Sequence, residues 1–203
     1  MKLYYYPGAC SLVSHIALRE AGLDFQLERV DLGSKQTESG ADFRTISAKG
    51  YVPALGLDDG SVLTEGVAIA LFIAQQAPAK ALAPPPGSFE FYRLLEWMTF
   101  ISTELHKSTG ALFNPNADEK VRAFLSTILN ARFDLAEKLV GAGPYVMGAS
   151  FTVADIYLFV ICSWLPHVGI DPSRWPNLAA HTARVAARPA VLAALTAEGL
   201  IKG

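Results

Sequence analysis

Short apolar runs bounded by turn residues fill the first eighty positions, and longer stretches with apolar residues at helical spacing fill the remainder. Leu3-Tyr4-Tyr5-Tyr6 predicts a strand over 2–6. The stretch after Cys10 predicts a helix over 11–21 that Gly22 stops. A second strand is expected within 25–32 and a weak helix near 37–46. Next come Val52-Pro53-Ala54-Leu55-Gly56-Leu57, the turn Asp58-Asp59-Gly60 and Ser61-Val62-Leu63, and Asp-Gly between two apolar runs is a hairpin signal. A helix over 65–76 completes the order βαβαββα, whose opening βαβ is expected to be parallel and right-handed. The result is a small four-stranded sheet covered by helices.

Ala83-Pro84-Pro85-Pro86-Gly87-Ser88 is the richest breaker cluster, because three prolines remove backbone donors and hold the chain extended. A domain boundary is expected there, dividing the chain into 1–80, a proline-rich linker at 81–87, and 88–203. Beyond it the pattern predicts helices near 89–112, 118–140, 152–165, 178–187 and 190–195. Thr152 and Asp155 stand at capping-box spacing, with Phe151 and Ile156 at the staple positions on either side. That group reads as a folding element.

The chain has 203 residues, enough interior to fold without covalent staples. Cys10 and Cys162 are its two cysteines, far apart, with no apolar leader ahead of them, so a reducing cytoplasm is the expected setting. Seventeen basic and nineteen acidic residues give a formal charge of −2, and the basic residues are scattered, so a nucleic-acid partner is not expected. Residues 66–74 and 157–165 are apolar but far short of the roughly 20 that a membrane helix needs. No membrane partner is expected either, and the hydrophobic surplus belongs to a core or a subunit interface.

Four places carry chemistry. Cys10 sits at a strand-to-helix junction, where the amides of Ser11, Leu12 and Val13 favour an anionic sulfur, its own or a ligand's; the alternative is an inert buried thiol. No second cysteine follows within three residues, so a partner sulfur must come from outside. Val52-Pro53 is a poor entry to a strand: a cis bond there leaves the Val52 backbone able to pair with an extended peptide, whereas a trans bond makes a plain turn. Glu65-Gly66 lies at a strand end and helix start, suited to an ammonium on Glu65 and a carboxylate on the Gly66 amide, the two charges of an amino-acid head group. On the long helix Glu96, Thr99, Thr103, His106 and Lys107 fall near one stripe, which either lines a cleft or is a solvated face. His15, His167 and His181 lack such company and read as structural, and Cys162 as core.

Taken together, Tyr5-Tyr6-Pro7-Gly8-Ala9-Cys10-Ser11, Gly50-Tyr51-Val52-Pro53-Ala54-Leu55, Leu63-Thr64-Glu65-Gly66-Val67-Ala68-Ile69, Glu104-Leu105-His106-Lys107 and Phe151-Thr152-Val153-Ala154-Asp155 resemble the cytosolic glutathione S-transferases, specifically the bacterial beta class with an active-site cysteine. The resemblance runs end to end. It implies an α/β thioredoxin-like N-terminal domain joined to an all-α C-terminal domain, a cytoplasmic homodimer, and glutathione as co-substrate with no metal. It further implies that Cys10 and His106 approach the glutathione sulfur, that Val52 pairs with the peptide before a cis Pro53, and that Glu65 and Gly66 hold the γ-glutamyl head. Lys35, Thr99, Thr103, Glu104, Leu105 and Lys107 complete the implied site, some across a dimer interface. Two positions depart from the pattern: Tyr51 stands where glutamine is usual and Thr99 where asparagine is familiar.

The activity implied is conjugation of the glutathione thiol to hydrophobic electrophiles in a pocket drawn from Ala9, 109–114 and 164–168. Thiol–disulfide exchange through Cys10 is a possible companion reaction. A glutathione-dependent isomerase, dehalogenase or disulfide reductase uses the same scaffold, and a non-catalytic interaction module is the reading from a different class.

Overall fold

The computed structural model describes residues 1–202, which form two compact units. Four strands open the first: β1 (Lys2–Tyr5), β2 (Gln26–Arg29), β3 (Ala54–Gly56) and β4 (Val62–Thr64), in the order β2-β1-β3-β4. β1 runs parallel to β2 and antiparallel to β3, with Leu3 opposite both Leu27 and Leu55. β3 and β4 form the hairpin expected around Asp59-Gly60, Leu55 facing Leu63.

Helices α1 (Ser11–Ala21) and α3 (Gly66–Gln76) pack together, burying Leu12, Ile16, Ile69 and Ile73 completely or nearly so. Gly22 ends α1 with φ of +68°, a left-handed cap that a side chain would strain, and its N–H bonds the carbonyl of Arg19. A second cluster gathers Val30, Phe43, Val52 and Ala54, with Tyr4, Tyr6 and Ala9 packed against it. The helix expected over 37–46 is only α2 (Phe43–Ile46), because 36 and 37 pair as bridges with 42 and 30, and the Asp42 side chain accepts the Arg44 N–H to start the helix late.

The second unit spans Pro84–Ala187. Ser88 and Asp118 cap α4 (Phe89–Phe100) and α6 (Glu119–Val140) through the N–H groups of Phe91 and Val121. The single helix expected over 89–112 is α4, a π-helical turn at Ile101–His106, and α5 (Lys107–Ala111). Thr103 Oγ1 bonds the carbonyl of Thr99 at 3.0 Å inside that segment, a back-bond that loosens the regular ladder. Two helices, α7 (Val153–Trp164) and α8 (Pro176–Ala186), close the unit.

The capping box at α7 forms as expected, with the Thr152 N–H donating to Asp155 Oδ2 at 2.7 Å. Asp155 Oδ1 also accepts from the Val146 N–H at 2.8 Å and bonds His181 Nε2 at 2.9 Å, all buried.

Residues from Arg188 group with the first unit, not with the helical stretch that 88–203 was expected to form. Helix α9 (Pro189–Ala197) packs on α1, burying Val191 and Ala194, and Arg188 grips both carboxylate oxygens of Glu20 at 2.6 and 2.8 Å. Helical periodicity says that a face is buried without saying against what.

Candidate active site

Cys10 occupies the N-cap of α1, half-buried, and its Sγ donates to the Val52 carbonyl at 3.5 Å. The helix start differs from expectation. The Leu12 and Val13 N–H groups already bond the carbonyls of Ala9 and Cys10, so of the three expected amides only that of Ser11 lacks an acceptor among the described residues. The Ser11 hydroxyl, rather than capping α1, bridges the Tyr6 N–H and C=O at 3.2 Å and pins the loop in front of the cysteine.

That loop is also held from the chain's far end. The Gly8 N–H donates to Glu198 Oε2 at 2.9 Å, and Glu198 Oε1 meets His15 Nδ1 at 2.8 Å with both side chains fully buried. Arg19 Nε donates to His15 Nε2 at 2.8 Å, which makes that nitrogen the acceptor and leaves Nδ1 to donate to the carboxylate. Gly8 has φ of +71°, and a Cβ there would approach Leu200 to 3.3 Å. His15 is structural, as expected, but it supports the Cys10 loop through Glu198. Residues 183 apart in sequence carry no signal of that pairing.

The Val52–Pro53 bond is cis. Val52 precedes β3, outside its ladder, and its N–H has no partner among the described residues, while its carbonyl faces the Cys10 thiol. Gly66 opens α3 beside this bond, its missing Cβ pointing to Pro53 Cγ at 3.9 Å. A helix start with a bare glycine offers N–H groups to an anion. Glu65 just before it has φ of +73°, a left-handed conformation that costs a side chain about 1–3 kcal/mol and holds the carboxylate at the helix entrance.

Lys49 Nζ and Tyr51 Oη both donate to Glu65 Oε1, Tyr51 at 3.2 Å. The hydrogen bond to Glu65 raises the Lys49 pKa. Nothing in the local sequence marks Lys49 or Tyr51 as a partner of Glu65. The unusual Tyr51 thus serves the acid next to it. Cys10, Val52, Pro53, Gly66 and Glu65 form one continuous row. Lys35, half-buried, also has a left-handed backbone (φ +62°), and its carbonyl accepts the Phe43 N–H.

In the second unit the π-helical turn carries Thr103, Glu104, Leu105 and His106, flanked by Thr99 and Lys107. Thr99, Thr103 and Lys107 are exposed, and Glu104 pairs with Arg132 of α6 at 2.6 Å. Leu105 is completely buried, so its side chain serves packing rather than a ligand. His106 Nδ1 lies 2.6 Å from the Tyr157 hydroxyl, and the imidazole meets the rings of Tyr157 and Trp164 edge-on at 5.7 and 5.1 Å. Burial, helped by nearby Lys107, lowers the His106 pKa to about 4. Phe113 stands perpendicular to Trp164 at 5.6 Å, extending the aromatic wall. Cys162 is core as expected, its thiol pushed up to about 12 by burial.

Comparison with known proteins gives a consistent picture. Residues 8–76 match the family described as glutathione S-transferase, N-terminal domain, and residues 103–198 match its C-terminal domain. Glutathione S-transferase GstA of Escherichia coli O157:H7 is 43% identical over 98% of this chain and 100% of its own length. Among solved structures, a ternary complex of BphK, a bacterial GST, is 53% identical with a TM-score of 0.97, covering 98% of this chain and 100% of its own. A sphingomonad glutathione S-transferase complexed with glutathione is 46% identical with a TM-score of 0.96, covering 99% and 100%.

Proposed function

This chain belongs to the glutathione S-transferase family, and on that premise we propose that it seats glutathione along the row from Cys10 to Glu65 and transfers the glutathione thiol to hydrophobic electrophiles. Glutathione is the co-substrate. The observation that carries the seat is the row itself: a Val52 N–H with no partner among the described residues lies between a helix-start thiol and a helix-start glycine with an acid beside it.

In this reading the Val52 backbone pairs with the extended tripeptide in strand fashion. The α3 amides at Gly66 take the γ-glutamyl carboxylate, and Glu65 takes its ammonium. Cys10 and His106 attend the sulfur. Lys35, Pro53, Thr99, Thr103, Glu104 and Lys107 border the ligand, and Leu105 contributes only through its place in the π-helical turn.

The chemistry is a displacement. The glutathione thiol releases its proton to solvent, the thiolate forms a carbon–sulfur bond, and the leaving group departs with its electron pair. Lowering a thiol pKa of about 9 by two units requires roughly 2.7 kcal/mol and makes half of it thiolate at pH 7. The Ser11 amide at the α1 start and one or two side-chain donors, at about 1–2 kcal/mol each toward an anion, supply that. The electrophile pocket is read along Phe113 and Trp164, whose apolar faces suit aryl or alkyl substrates.

A homodimer is part of the same reading, supported by large apolar side chains left exposed on α4 and α6, such as Phe89 at 67% and Phe124 at 65%. No disulfide joins Cys10 and Cys162, which suits a reducing cytoplasm, and no helix of the described residues is long and apolar enough to cross a membrane.

Calorimetric titration with glutathione, followed by steady-state conjugation of an aryl halide, tests the proposal. Saturable binding and glutathione-dependent turnover are expected, with Glu65→Ala weakening the affinity at least tenfold. Absence of both binding and turnover would favour a non-catalytic module. Cys10→Ala should retain much of the conjugation and lose disulfide exchange; full exchange in that variant would exclude Cys10 as its thiol.

A further inference from the structure

We infer that Tyr157 is a positioning residue that locks His106 as a neutral donor, with the imidazole proton held on Nε2. This rests on the reading that His106 serves the glutathione sulfur.

Tyr157 and Trp164 stand seven residues apart on α7, two helical turns, so they present one face to the imidazole. The Tyr157 ring meets it at an interplanar angle of 77°, Trp164 at 65°, and the Tyr157 hydroxyl lies 2.6 Å from Nδ1. Tyr157 is 4% exposed and Trp164 8%, so the aromatic walls are fixed by the core. On the next turn Gly110 leaves space, since even a Cβ there would lie 3.9 Å from His106 Cδ2.

Two proton arrangements fit an oxygen–nitrogen contact of 2.6 Å. A phenol with an ordinary pKa of about 10 is a far stronger acid than a neutral imidazole N–H, and the bare ring nitrogen is a better acceptor than a phenol oxygen. The hydroxyl therefore donates to Nδ1, and Nε2 keeps its hydrogen. The reverse arrangement would turn a lone pair at Nε2 toward any anion in front of it.

Among the described residues, the charged and titratable groups that act on the ring are Lys107, next to it in the chain, and Tyr157 from α7, while neighbouring Glu104 pairs with Arg132 of α6. Among the described residues no carboxylate hydrogen-bonds the imidazole, and burial together with Lys107 disfavours its cation. A neutral Nε2–H donor does not titrate over the range in which a thiol of pKa about 7 ionises, so it supports the thiolate evenly across that range.

Two measurements test the tautomer. In the wild-type protein labelled with nitrogen-15 at histidine, long-range proton–nitrogen correlation should give a pyrrole-type Nε2 and a pyridine-type Nδ1 for His106. A protonated Nδ1 would overturn the assignment. In Tyr157→Phe, the acid limb of kcat/KM for an aryl halide should move up by about one pH unit, lowering kcat/KM about tenfold below neutrality. The KM for glutathione should stay within about twofold. An unshifted limb in a folded, active variant would also overturn it, and the nitrogen spectrum decides alone if the variant does not fold. A wild-type protein without glutathione-dependent turnover would instead refute the transferase reading, an outcome separable because the tautomer is read without substrate.

Discussion

Replacing Glu198 with alanine tests how the far end of the chain controls the cysteine loop. Its carboxylate, fully buried, accepts from the Gly8 N–H at 2.9 Å and from His15 Nδ1 at 2.8 Å. The substitution removes the acceptor from both donors, the His15 Nδ1 fully buried and the Gly8 N–H partly so. Each such loss costs about 1–3 kcal/mol, so the pair costs roughly 4 kcal/mol, the size expected when one partner of a buried polar pair is deleted. For a chain of about 200 residues, 1 kcal/mol moves the melting temperature by about 2–4 °C, so Glu198→Ala should melt about 10 °C below the parent. Glu198→Gln keeps one acceptor oxygen and should lose about half as much. Gly8 stands two residues before Cys10, so glutathione affinity should fall along with stability. Thermal denaturation followed by circular dichroism, paired with calorimetric titration of glutathione, reads both. An alanine variant melting within about 2 °C of the parent with unchanged affinity would refute the reasoning.

Further outcomes follow from the same geometry. A thiol reagent should modify one cysteine per native chain, at Cys10, and two after denaturation, since a Cys162 pKa of about 12 leaves about one part in ten thousand as thiolate at pH 8; two modified thiols in the native protein would contradict this. Because the folded His106 pKa is lowered from 6.5 to about 4, the unfolded chain takes the proton first as the pH drops. The stability this group contributes is therefore complete above pH 6.5 and lost between 6.5 and 4, by about 2–3 kcal/mol after discounting for partial exposure. Denaturant melts of His106→Asn should show a flatter pH dependence over that window, and an unchanged slope would oppose it. Asp155→Ala removes the acceptor of the Val146 and Thr152 N–H groups and the partner of His181, so a loss of more than about 4 kcal/mol is expected in the denaturation midpoint, with less for Asp155→Asn; a loss below about 1 kcal/mol would mean the box is dispensable.

Features set by neighbours in sequence were legible. The order of elements along the first unit and its hairpin follow from apolar runs and the Asp59-Gly60 turn, the α1 stop from Gly22, and the α7 start from Thr152 and Asp155 three residues apart. The local features of the row were legible for the same reason, since Cys10, Val52-Pro53 and Glu65-Gly66 each mark a junction where backbone groups lose regular partners. What escaped depends on distant pairs. Nothing near Glu198 says that it meets His15 and Gly8, and nothing near α9 says that it covers α1. Serine favours a helix N-cap, but the Ser11 hydroxyl instead meets both backbone groups of Tyr6 in the preceding loop, a contact that no local pattern marks. The π-helical turn was invisible because its residues are good helix formers, and its extra residue shows only in the hydrogen bonding. Leu105 entered the implied site as a neighbour of His106 in a motif, whereas helical geometry turns it to the opposite side, into the core.

A crystal structure of the protein grown with glutathione tests most directly whether the row from Cys10 to Glu65 seats the tripeptide. The tripeptide backbone is expected to pair with the Val52 N–H, with its γ-glutamyl carboxylate on the first amides of α3, its ammonium at Glu65, and its sulfur within about 4 Å of Cys10, bonded to it or beside it. Glutathione at saturating concentration that leaves Val52 and Gly66 untouched, or binds elsewhere, would contradict it.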